Sequence, residues 1–201
     1  MRTMRSIMTL SWLFWGGWPL AAQEAAPPAE AGPRAAVRSA LAQILAPQRI
    51  WVPEDLPMSR SQPAQTLQVR MEEGAAPAGA KPSVRLAIRA RTRSAGSLPR
   101  LRSLDLAPDK LLVAAVSADG MLRGWTVLQD PRFIRAERLG PDGILTGQSV
   151  PVPRAEFRVA VPDDPAVAEV RIFQPHWNGR SFDLELVGTL ALAPEKGAAH
   201  E

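Results

Sequence analysis

Period-two alternation of apolar and polar residues recurs along this chain, and no other sequence feature constrains its fold as tightly. Leu67, Val69 and Met71 alternate with Gln68 and Arg70. Val84, Leu86, Ile88 and Ala90 alternate with Arg85, Ala87, Arg89 and Arg91. The same pattern returns at Phe157, Val159 and Val161, at Val170 and Ile172, and at Phe182, Leu184 and Leu186. Successive side chains of a strand point to opposite faces, so each stretch has one face to bury and one to leave in water. Only Leu111 to Val116 is apolar throughout, as a central strand covered on both sides would be.

Turn signals fall between these stretches. Asp119-Gly120 and Asn178-Gly179 each separate two apolar runs, and both dipeptides suit type I′ hairpins. Pro141-Asp142-Gly143 and Asp163-Asp164-Pro165 mark further corners, and Pro99, Pro108 and Pro131 fall where strands should end. Seven to nine strands in residues 66–193, without a long helix, predict an all-β, antiparallel sandwich.

The arrangement resembles the immunoglobulin-like or fibronectin-III-like modules of exported bacterial proteins. Residues Asp164-Pro165-Ala166-Val167-Ala168-Glu169-Val170-Arg171-Ile172 are similar to the turn and penultimate strand of such modules. The chain departs from them in having no Cys pair and no Tyr, hence no tyrosine corner, and Trp125 comes one strand late for their buried Trp. The resemblance implies a fold and no activity.

The N-terminal third has a different character. Arg2 and Arg5 precede a mostly apolar run from Ile7 to Leu20, and Ala21 and Ala22 follow. This is the pattern of a signal peptide over residues 1–22, and it predicts a periplasmic or secreted protein. A retained anchor would need roughly 20 apolar residues, and Gly16-Gly17 and Pro19 interrupt this run. Residues 23–65 are rich in Ala and Pro and read as a tether. Val37, Leu41, Ile44 and Leu45 predict a short helix over 36–46. Ile50, Trp51 and Val52 form an apolar triplet that either packs on the domain or docks elsewhere. Residues 194–201 read as a disordered tail.

Composition narrows the chemistry. With no Cys there are no disulfides, Cys-based zinc sites or thiol nucleophiles. The histidines are His176 and His200, too few for a metal cluster. No Gly-x-Ser-x-Gly elbow pairs with His176. Asp163, Asp164, Asp130 and Glu137 could serve carboxylate chemistry or calcium, but no spaced Asp/Asn calcium loop is present. No metal and no cofactor are expected. In Asp130-Pro131-Arg132 the two charges either brace a corner or leave Arg132 as an anion clamp.

Charge is concentrated in one place. The chain carries +4, but without Arg2 and Arg5 its 22 remaining cations face 20 acids, or +2. Residues 81–102 hold Lys81, Arg85, Arg89, Arg91, Arg93, Arg100 and Arg102 without an acid. On a regular strand Arg85, Arg89, Arg91 and Arg93 share a face, a row fit for an anionic polymer. Equally, cross-strand carboxylates could neutralise the row, or it could protect an edge strand. Nucleic acid is not expected, because no aromatics interleave the basic residues for base stacking.

The expectation is an exported, non-catalytic binding module of the bacterial envelope, with an envelope protein or an anionic surface polymer as partner. A small hydrolase using carboxylates or His176 and a structural subunit of an envelope assembly are the alternatives.

Overall fold

A computed structural model describes residues 32–56, 63–75, 79, 83–98, 103–139 and 141–192. The signal-peptide stretch, the first part of the tether and the 194–201 tail lie outside the described residues. The described residues are all-β with one α-helix, α1 (Pro33–Leu45). The strands are β1 (Pro63–Glu73), β2 (Val84–Ser97), β3 (Lys110–Ser117), β4 (Leu122–Gln129), β5 (Phe133–Leu139), β6 (Leu145–Pro151), β7 (Arg154–Pro162), β8 (Val167–Trp177) and β9 (Phe182–Ala191). They pair antiparallel in a three-stranded sheet of order β2-β1-β7, a four-stranded sheet of order β4-β3-β8-β9, and the separate hairpin β5-β6. No described helix is long and apolar enough to cross a membrane.

The two large sheets share one apolar core. Leu67, Val69 and Met71 of β1 and Val159 and Val161 of β7 meet Leu111, Val113 and Ala115 of β3 and Val170 and Ile172 of β8. Those of β1, β7 and β8 are apolar positions of the period-two stretches, and every residue named here is at most 2% exposed. At each side of the core a glycine lets strands of the two sheets close up. A Cβ on Gly124 of β4 would lie 2.5 Å from the Pro162 ring of β7, and one on Gly188 of β9 would lie 2.6 Å from Leu86 of β2.

A second core lies on the other side of the four-stranded sheet. The outward residues of β3 (Leu112, Ala114, Val116), together with Leu122, Phe173 and Leu184, pack against Val37, Leu41 and Leu45 of α1 and against Ile50 and Leu56. The helix residues are spaced by four, so they form one stripe. Pro33 opens the helix where a missing N–H costs nothing, and the 3-10 turn Ala46–Gln48 tightens its end. Gln48 Nε2 donates to Leu184 O at 2.8 Å, and Arg171 Nη1 donates to Gln48 O at 3.1 Å, tying that turn to the sheet. The segment 33–56 is therefore a packed layer rather than a tether, and α1 begins three residues before the expected helix. The doubly apolar β3 demanded such a cover; Ala- and Pro-rich composition concealed it.

Local geometry departs from the sequence reading in two further places. Gly120 and Gly179 take positive φ, 84° and 94°, but Asp119 and Asn178 do not, so neither hairpin is type I′. Instead Ser117 N donates to Met121 O at 2.9 Å across a three-residue loop. The Asn178 Oδ1 accepts from the N–H groups of Arg180 and Ser181 at 3.0 and 2.9 Å. Along β9, a register shift opposite Ile172/Phe173 breaks the alternation. Leu184 turns to the second core, Leu186 is 48% exposed, and Leu190 takes the place in the first core.

Candidate functional site

The arginine strand β2 is an edge strand, and a bulge divides its charges. Ile88 stands opposite Val69 and Ala90 opposite Gln68, so Arg89 is an extra residue without a partner in β1. Before the bulge, Arg85 stands opposite Glu72 on the outer face of the sheet. After it the alternation is reversed. Thr92 now stands opposite Thr66, while Arg91 and Arg93 stand opposite Leu67 and Gln65, whose side chains are buried. Arg91 Nε donates to Gln65 Oε1, and Arg93 Nε lies 3.3 Å from Asp163 Oδ2. The expected row of four guanidinium groups on one face is thus split into two pairs.

Cross-strand register arranges the outer face of β2-β1-β7 as a grid. Its first rows are Arg85–Glu72–Arg154 and Ala87–Arg70–Glu156, its next are Ala90–Gln68–Arg158 and Thr92–Thr66–Ala160. The first two rows neutralise themselves in part. Arg70 places Nε and Nη2 each 2.7 Å from Glu156 Oε1, and Arg154 Nε lies 2.9 Å from Glu72 Oε1. The Arg70 hydrogen bonds hold the Glu156 carboxyl below its ordinary value, and the charge of Arg89 adds to this. The next two rows contain no acid. The short side chains of Thr66, Ala90 and Thr92 leave a cleft of about 320 Å³, lined also by Gln68, Arg93 and Arg158.

Arg132 is elsewhere and is engaged internally. Its Nε lies 3.0 and 3.1 Å from the two Asp130 carboxylate oxygens, and Nη2 donates to Asp130 Oδ2 at 2.6 Å. Nη1 reaches Glu73 Oε1 of β1 at 3.3 Å, and Nη2 also donates to Gln174 Oε1 of β8. Asp130 is fully buried, and its bonds with Arg132 raise the guanidinium pKa further. The corner Asp130-Pro131-Arg132 ties one sheet to the other, which leaves Arg132 poorly placed to clamp an external anion.

Compared with protein-family models, curated proteins and solved structures, the chain matches none. Its function must therefore be argued from its own geometry. His176 is half-exposed, and its Nε2 lies 2.9 Å from Glu185 Oε2. Among the described residues no hydroxyl hydrogen-bonds to it. Asp164 Oδ1 accepts from Ala166 N at 2.8 Å, a turn-forming role, and Asp163 pairs with Arg93. Glu137 lies on the β5-β6 hairpin, whereas Asp130 is buried against Arg132. The described residues contain no group of three His, Asp or Glu placed to hold a metal.

Sequence reasoning missed Arg158, Thr66, Thr92 and Gln68 as one site. Thr66, Gln68 and Arg158 are legible as wet-face positions of their strands, whereas Thr92 falls on the apolar face of a regular β2 and only the bulge turns it outward. Only strand pairing reveals that three strands bring them together.

Proposed function

We propose that the protein is an exported, non-catalytic binding module of the bacterial cell envelope, and that the outer face of β2-β1-β7 binds an anionic surface polymer. One observation carries this reading: of the two outer faces, the apolar one is covered by the protein's own helix, and the one left to water is rich in arginine. Arg85, Arg89 and Arg158 are exposed there, and among the described residues they make no hydrogen bond or ion pair. Such a face raises the local concentration of polyanions and is sensitive to salt. We also infer an immunoglobulin-like sandwich. Its support is the β4-β3-β8-β9 order built on two hairpins, with β8 as penultimate strand. The three-stranded sheet departs from immunoglobulin order, since the first strand, not the second, lies at its centre.

The test is retention on a resin carrying an acidic polysaccharide. Replacing Arg85, Arg89 and Arg158 together by Ser should move elution to clearly lower salt. Replacing Arg91, whose position the bulge turns to the other face, should move it less. Retention unaltered in the triple variant, with the fold intact, refutes the reading.

A further inference from the structure

We propose that the acid-free cleft on this face recognises one acidic sugar unit of a polysaccharide, its carboxylate or sulfate held by Arg158 and its hydroxyl groups by Thr66, Thr92 and Gln68. The proposal rests on the anionic-polymer reading and adds the chemistry of the ligand.

Charge locates the acid group. In the first two rows of the grid the cations Arg70 and Arg154 already hold carboxylates. In the cleft, Arg158 on β7 makes no hydrogen bond or ion pair with any described residue, and Arg93 stands at the opposite rim on β2. A guanidinium fork matches a carboxylate or sulfate through two parallel hydrogen bonds. Arg89 lies just beyond, near enough to lower Glu156, and would meet the acid of a neighbouring unit.

Neutral groups identify the rest. Thr66 and Thr92 stand opposite each other on adjacent strands, and neither side chain hydrogen-bonds to a described residue. A hydroxyl both donates and accepts, which suits sugar hydroxyls and is superfluous for a bare phosphate chain. The Gln68 amide contributes a carbonyl oxygen, its Nε2 lying at a long 3.5 Å from Glu156 Oε2. Nucleic acid would call for an aromatic platform, and no aromatic residue lines the cleft.

Size agrees. The cleft, about 320 Å³, is at the lower end of small-ligand sites. Its rims on β2 and β7 are two inter-strand spacings apart, roughly 10 Å. Ala90 is the shortest side chain among the residues that line the cleft from β2.

Calorimetric titration of the full chain with a uronic-acid oligosaccharide, a neutral glucan of equal length and polyphosphate tests this. The acidic oligosaccharide should bind at least tenfold more tightly than the glucan. A Thr66→Val/Thr92→Val variant should bind it about tenfold more weakly, the loss of two neutral hydrogen bonds, while its polyphosphate binding stays unaltered. Arg158→Gln should weaken both anions. If the threonine variant binds the acidic sugar like the wild type while Arg158→Gln does not, the cleft reads charge alone: the sugar inference falls and the anionic-polymer reading stands. Equal affinity for the glucan also overturns the inference. If neither variant alters any binding, the inference falls, and the triple arginine variant decides the anionic-polymer reading separately.

Discussion

The two sheets of this protein use their outer faces in opposite ways. Beyond the four-stranded sheet, Leu112, Ala114, Val116 and Phe173 are at most 1% exposed, because α1 and the segment through Leu56 lie over them. On the three-stranded sheet the equivalent layer is Arg70, Glu72, Glu156, Arg158 and their neighbours, with side chains such as Arg70 and Glu156 at 29% and 40% exposure. An apolar face must be covered by something, so the first becomes part of the core. A charged face satisfies itself in water, so the second stays available to a ligand. The difference teaches that availability here is a consequence of side-chain chemistry on an otherwise similar backbone.

The ion pairs allow the hardest test of that contrast. Arg132→Met would strand the buried carboxylate of Asp130 and sever the link between Glu73 and Gln174. It should cost about 3–5 kcal/mol in urea unfolding. Arg70→Met, which breaks an exposed pair, should cost under about 1 kcal/mol. Equal costs would mean that burial does not separate the two sites.

Next comes the cover. Leu41 is 0% exposed on α1, and Leu41→Ala should lower stability by about 2–5 kcal/mol. A loss of only a few tenths would mean that the helix adds little to the sheet, and the two outer faces would then differ less than their burial suggests.

The smallest expected effect concerns pH. The Glu156 carboxyl is held low by Arg70, so its contribution is present above the unfolded value near 4.5 and is lost as pH falls through its lower folded value. The melting-temperature gap between wild type and Glu156→Gln should accordingly close in acid. A gap that persists there would assign the effect to packing rather than charge.

Much of the strand content was legible because period-two burial repeats itself in the residues. The cover was half-legible: Leu111 to Val116 announced two buried faces, while the Val37, Leu41 and Leu45 stripe lay within Ala- and Pro-rich sequence. The bulges were not legible. Nothing in Ile88-Arg89-Ala90 marks an inserted residue, because insertion is defined by the partner strand. That one residue turns the positions of Arg91 and Arg93 to the other face of the strand, although the Arg93 side chain still lines the cleft at the sheet edge. The cleft was illegible for a related reason: Thr66, Thr92 and Arg158 are distant in sequence, and only the pairings of β1 with β2 and β7 juxtapose them.

The cover has a consequence for how the molecule opens. The contacts of α1 in the second core are with one side of one sheet, whereas β3 is gripped from both sides. Opening of the helix layer therefore leaves the core between the sheets intact. Amide hydrogens of α1 should exchange with solvent through this partial unfolding, well ahead of those in β3, whose release requires the whole structure to come apart. Every such excursion uncovers Leu112, Ala114 and Val116, so the lifetime of the closed helix limits how long a sticky apolar sheet is shown to other proteins.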